Sequence, residues 1–116
     1  MDAQKFINVL NTEVRDAAVE DTISILESPP GRKPAKELIE LSVFYNQQTE
    51  ENKFLINKII KYVADDAVFG MLCVLDGVRA IEDDNKGDLV LNYQNTNGVS
   101  VALNASKDLH DIFNAS

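Results

Sequence analysis

The spacing of apolar residues changes once along this chain, and the place where it changes limits the folds available. From Phe6 to Leu75 they recur every three to four positions, the period of a helix face; after Gly77 they alternate, the period of a strand. A helical run followed by a short alternating one predicts an α+β fold. The expected architecture is mainly helical, three to five helices with one buried central helix, plus a small antiparallel two- to three-stranded sheet near the C-terminus. At 116 residues the chain is the size of one domain, so residues 1–116 are read as a single domain.

Asp2 is placed to cap a first helix in which Phe6, Leu10, Val14, Ala17 and Ala18 share a face, and helix is predicted to about Val19. Residues 20–27 read two ways. Thr22 to Leu26 alternate like a strand, whereas their position behind a helical pattern favours a continuing or second short helix. Pro29-Pro30-Gly31 ends the element, because proline removes a backbone donor, fixes φ and turns the preceding residue away from helical geometry. Pro34 suits the first turn of the next helix, predicted from Pro34 to about Gln48 with Leu38, Leu41, Ser42 and Tyr45 on one stripe and Ile39 and Val43 beside it.

Thr49 followed by Glu50 and Glu51 reads as an N-cap with two acids at the positive end of the helix dipole. Along the long helix that follows, Ile56, Ile60, Val63, Ala67, Met71 and Leu75 keep helical spacing. From Ala67 onward the neighbours other than Gly70 are apolar as well, and an all-round apolar segment is a buried one. Residues 67–75 are therefore expected to be the central core helix, with the thiol of Cys73 buried in it and Gly77 ending it. Asp65-Asp66 is where that helix is expected to kink or break, if it does so at all.

Beyond Gly77 three candidate strands follow: Val78 to Glu82, Asp88 to Tyr93, and Val99 to Leu103. Asn97-Gly98 between the last two suits a turn with positive φ and predicts a hairpin, with Leu89, Leu91 and Tyr93 opposite Val99, Val101 and Leu103. Asn104 or Ser106 is placed to cap a short last helix whose Leu109, Ile112 and Phe113 face inward.

Charge divides the chain unevenly. Residues 1–61 hold ten acids and eight bases, whereas residues 62–116 hold nine acids and three bases, so most of the net −8 sits in the second half. That acidic pole repels phosphate backbones and anionic lipid, which argues against nucleic-acid and membrane binding and favours a basic protein partner. Cys73 is the single cysteine, which excludes an intramolecular disulfide and points to a reducing, cytoplasmic location. The start of the chain lacks a secretory pattern, and its longest apolar run, Ala67 to Leu75, is about half the roughly 18 residues needed to span a bilayer.

No catalytic, metal or cofactor constellation stands out. Asp83-Asp84-Asn85-Lys86-Gly87-Asp88 alternates oxygen ligands like a calcium loop, yet its acids and glycine are out of register, so it reads as a solvated turn between two strands. Asp65, Asp66, Asp76, Glu82, Asp83 and Asp84 read as a hydrated face, with contact to basic groups of a partner as their alternative role. One histidine, His110, and one cysteine exclude a four-ligand zinc site. Arg32, Lys33 and Lys36 form the one basic cluster, in a stiff connector suited to gripping an acidic group or a second copy of the chain. Asp76-Gly77-Val78-Arg79 is expected to cap the long helix or to line a groove between helices and hairpin; Asp76, Arg79, Tyr93 and His110 are the residues a small-ligand site would use. The candidate contact residues are thus Asp76, Arg79, Glu82, Asp83, Asp84, Arg32 and Lys33.

Two stretches, Ser28 to Asn46 around Pro29-Pro30-Gly31-Arg32-Lys33-Pro34 and Val68 to Glu82 around Leu75-Asp76-Gly77-Val78-Arg79, together with Leu109-His110-Asp111-Ile112-Phe113-Asn114, resemble a family of small uncharacterised bacterial cytoplasmic proteins. The resemblance covers roughly residues 25 to 115 and implies a bacterial cytoplasmic origin; it brings no activity, cofactor or site residue. The expected function is a non-catalytic protein-binding module such as an immunity or antitoxin-like protein that meets a basic partner. The alternatives are a homo-oligomeric structural or regulatory protein working through leftover apolar faces of the two middle helices, and a small-ligand binder.

Overall fold

Asp2 starts the chain's first helix as its sequence position demands: its Oδ1 accepts the backbone N–H of Lys5 at 2.8 Å, satisfying one of the donors a helix start leaves open. The computed structural model describes residues 1–84 and 87–116. Helix α1 runs Ala3–Leu10, widens into a π-helical segment over Asn11–Asp16, and continues as α2 over Ala17–Glu27. Residues 20–27 are therefore helical, the second of their two readings. After the Pro29-Pro30-Gly31 connector, in which Gly31 takes a φ of 86°, α3 spans Lys36–Asn46. It starts two residues later than expected because Ala35, behind Pro34, is extended at φ −59° and ψ 142°.

Helix α4 is continuous from Glu50 to Leu75, with no break at Asp65-Asp66. Its N-cap is Thr49, whose Oγ1 accepts the N–H of Asn52 at 3.1 Å. At its other end Gly77 sits at φ 77°, Val78 N–H donates to Cys73 O at 2.9 Å, and Gly77 N–H donates to Val74 O at 3.2 Å. This is the paired closure that satisfies the last helical carbonyls when a left-handed glycine follows a helix.

Two compact units divide the chain, one of Glu13–Asp65 and one of Met1–Thr12 with Asp66–Ser116. In the first, α2 packs on α3, and the Asn46 side-chain amide donates to Leu26 O at 3.3 Å and Glu27 O at 3.1 Å, two carbonyls at the end of α2. Tyr45 is buried and its hydroxyl donates to Asn57 Oδ1 of α4 at 2.9 Å. Arg15 reaches Asp65 at 3.4 Å.

The second unit holds the main apolar core. Ile7 of α1, Leu72 of α4, and Leu109, Ile112 and Phe113 of α5 (Leu109–Asn114) are buried together, with Phe6, Leu10, Val68, Phe69, Leu75 and Leu91 packed around them. At about 1.5 to 3 kcal/mol for each large side chain fully buried, this cluster is the principal source of the unit's stability. Gly70, Leu72 and Cys73 of α4 are buried as expected, but Ala67 is exposed and Met71 is 58% exposed. The segment is thus lined by core on one face, not sheathed on all sides.

Strands β1 (Asn92–Gln94) and β2 (Ser100–Ala102) form the antiparallel hairpin, with Tyr93 opposite Val101. Gly98, at φ 82°, closes the turn, and the Asn95 side chain accepts the N–H groups of Asn97 and Val99. The strands are shorter than predicted. Val78 to Glu82 forms an irregular, bent run instead of a strand, because the N–H groups of Val78 and Arg79 are drawn back onto Cys73 O at the helix end. The architecture is α+β and mainly helical, with a small two-stranded antiparallel sheet near the C-terminus among the described residues. No helix among them is long and apolar enough to cross a membrane.

Candidate functional site

Of the expected contact residues, Asp76 has the most determined surroundings. It follows the last residue of α4, its side chain is 0% exposed, and its Oδ2 accepts two hydrogen bonds from His110: from the backbone N–H at 2.8 Å and from Nδ1–H at 2.7 Å. A carboxylate only accepts, so the ring proton lies on Nδ1. The imidazole meets the Phe69 ring edge-on at 6.1 Å, and its Nε2 lies 3.3 Å from Asp111 Oδ1. The bond to Asp76 raises the His110 pKa above its ordinary 6.5 against the opposing effect of burial, and the negative charges of Asp111, Asp76 and Asp108 add to the rise. Asp108, His110 and Asp111 bring one ligand-type atom each within 4.8 Å of one another. A proton on His110 competes with any cation there. Asp76 Oδ1 is buried with no hydrogen-bond partner among the described residues.

A cleft of about 300 Å³ opens beside this helix end, lined among others by Asp76, Arg79, Ile81, Asp88, Leu89 and Asn104. The run Asp76-Gly77-Val78-Arg79 closes α4, the first of its two readings; Asp76, Gly77 and Arg79 also line this cleft, but no residue of β1 or β2 does, so it is not the expected groove between helices and hairpin. Tyr93 and His110 are not among the residues lining that cleft. The Arg79 guanidinium folds back over Gly70, where a Cβ would stand 2.7 Å from its Nη1, so the missing side chain is what lets the arginine lie there. Asn104, expected as a helix cap, instead clamps three backbone groups: its amide donates to Leu75 O at 3.1 Å and Leu89 O at 2.9 Å, and its Oδ1 accepts Leu91 N–H at 3.0 Å.

Glu82, Asp83 and Asp84 are exposed on an irregular run and form an acidic surface. Asn85 and Lys86, the middle of the loop weighed as a calcium site, lie outside the described residues. Arg32 and Lys33 are exposed in the connector before α3, in the other unit, and so do not share a compact unit with the acids. Cys73 is buried and unpaired, as its packing role requires.

The surface least like that of an isolated soluble domain lies elsewhere, on the first half of α4. Phe54, Leu55, Ile59, Tyr62 and Val63 are all at least half exposed, from 50% at Leu55 to 73% at Tyr62. Helical spacing puts them on one side of α4, because Ile56, Asn57, Ile60 and Ala64 occupy the inward positions. On α3, Ile39, Leu41, Val43 and Phe44 are exposed too. The sequence places an apolar stripe on each of α3 and α4 but does not separate what the fold covers from what it leaves in water. No family model, curated protein or solved structure matches this chain.

Proposed function

We propose that this protein is a non-catalytic protein-binding module, of the kind to which immunity proteins and antitoxins belong, and that the outer side of α4 is its contact surface. The observation that carries the reading is the row Phe54, Leu55, Ile59, Tyr62 and Val63, large apolar side chains left at least half exposed on a single helix. Contiguous exposed apolar groups with polar neighbours mark protein contact sites, and aromatic residues are enriched at their centres. The exposed acids Glu82, Asp83 and Asp84 supply a second element, a negative field that speeds encounter with a basic partner and weakens as salt is added.

The test uses the whole chain as bait, wild type against Ile59→Asp, with proteins of the source cell. The reading expects a partner, this chain included, that is retained by the wild type and lost by the variant, with circular dichroism showing both folded. Identical sets of retained proteins would remove α4 as the contact surface.

A further inference from the structure

The occupant of the α4 stripe is identified by its area and by the two charges set among its apolar residues. Phe54 and Tyr62, at roughly 150–250 Å² per aromatic side chain and the exposures above, leave on the order of 250 Å² in water. Leu55, Ile59 and Val63 bring the stripe to about 500 Å², the upper end of what a monomer's largest apolar patch reaches. A standard interface takes about 800 Å² from each partner, and a homodimer interface is about 65% apolar, which asks for roughly the same 500 Å². The stripe alone supplies the apolar share that one partner brings to a dimer interface of ordinary size.

Glu51 and Lys58 are seven residues apart on α4 and therefore fall within about 20° of each other around the helix. Both lie on the same exposed side of α4 as the stripe, between the directions of Phe54 and Tyr62, and neither has an ion-pair partner among the described residues; the Lys58 ammonium rests 4.9 Å from the centre of the Phe54 ring. One acid and one base at this spacing are self-complementary. When two α4 helices meet antiparallel about Phe54 and Leu55, each Glu51 is set against the other copy's Lys58, twice by symmetry. Ile59 and Tyr62 then run past the start of the other copy's α4 toward the end of its α3, where Val43 and Phe44 are exposed. The surrounding segment does not oppose this, since Glu13–Asp65 holds ten acids and seven bases and so carries only −3 of the chain's −8.

We propose that a second copy of this chain covers the α4 stripe, forming a two-fold antiparallel dimer held by Leu55, Phe54 and Ile59 and registered by Glu51 and Lys58. The proposal rests on the reading of α4 as a contact surface and names a second copy as the molecule that covers it; a basic partner drawn by Glu82, Asp83 and Asp84 meets the acidic surface of the other unit instead. Sedimentation equilibrium of the full chain over a range of concentrations tests it. The wild type is expected to dimerise, Ile59→Asp to be monomeric, and Glu51→Lys or Lys58→Glu alone to weaken association roughly tenfold at low salt, since each places like charges together twice. The double reversal Glu51→Lys with Lys58→Glu is expected to restore it, an outcome that general loss of folding or of surface charge does not produce. A strict monomer at millimolar concentration overturns the dimer. So does a dimer unmoved by Ile59→Asp, or one in which the double reversal is as weak as the single ones. A monomer that still loses a different bound protein on Ile59→Asp overturns self-pairing while leaving α4 a contact surface, so the two readings fail separately.

Discussion

Asp76 and Asn104 are the two side chains through which the end of α4 is tied to the rest of its unit. Replacing Asp76 by Ala removes both hydrogen bonds that His110 donates and is expected to cost about 2 to 3 kcal/mol, the range for bonds to a charged group. Asn104→Ala strips partners from Leu75 O, Leu89 O and Leu91 N–H and is expected to cost about 3 kcal/mol, roughly 1 kcal/mol for each of three neutral bonds; denaturant unfolding checks both. His110 gives a pH signature. Its folded pKa is raised above 6.5, so the stabilisation it contributes is complete below that value and is lost as pH rises through the folded pKa. Thermal melts are expected to fall across that interval in the wild type and to flatten there in His110→Gln; an unchanged slope in the variant would remove the pair as the source. The role of Asp76 as a helix-end residue could be read from the Gly77 beside it. Its bond to His110 could not, because it joins positions 34 residues apart and no local pattern encodes such a meeting.

At the scale of elements, the signals that proved readable were those acting within a few residues. Asp2 and Thr49 as caps, Pro29-Pro30 as a stop, Gly77 as a helix end and Asn97-Gly98 as a hairpin turn all depend on local backbone chemistry, and all are present. The misread elements depend on competition from elsewhere. Val78 to Glu82 alternates like a strand but its first amides are used by the α4 terminus, and the π-helical turn at Asn11–Asp16 has no signature in apolar spacing. Gly77→Ala is expected to cost about 1 kcal/mol, because a Cβ is strained at positive φ. Gly70→Ala is expected to be near neutral: the added methyl displaces only the flexible end of Arg79, while a helix-interior Gly→Ala change gains up to about 1 kcal/mol. Chemical denaturation of the two variants side by side distinguishes the two glycines.

For the molecule as a whole, the proposed function rests on the division of apolar residues between core and surface. Ile7, Leu72, Leu109, Ile112 and Phe113 form a buried cluster in one unit, whereas α4 within the other unit keeps two aromatic and three aliphatic side chains in water. The sequence showed that α3 and α4 were rich in apolar positions, and it named their leftover faces as a route to self-association. It did not show that the stripe from Phe54 to Val63 would be the exposed one, since which side of a helix is covered depends on neighbours such as Tyr45, whose hydroxyl meets Asn57. The most direct measurement is hydroxyl-radical footprinting of the intact chain, reading oxidation at Phe54, Leu55 and Tyr62 as protein concentration is raised. Self-pairing predicts that these three become protected together while Met71, exposed on the same helix, stays reactive. Equal labelling of all four at every concentration would contradict it.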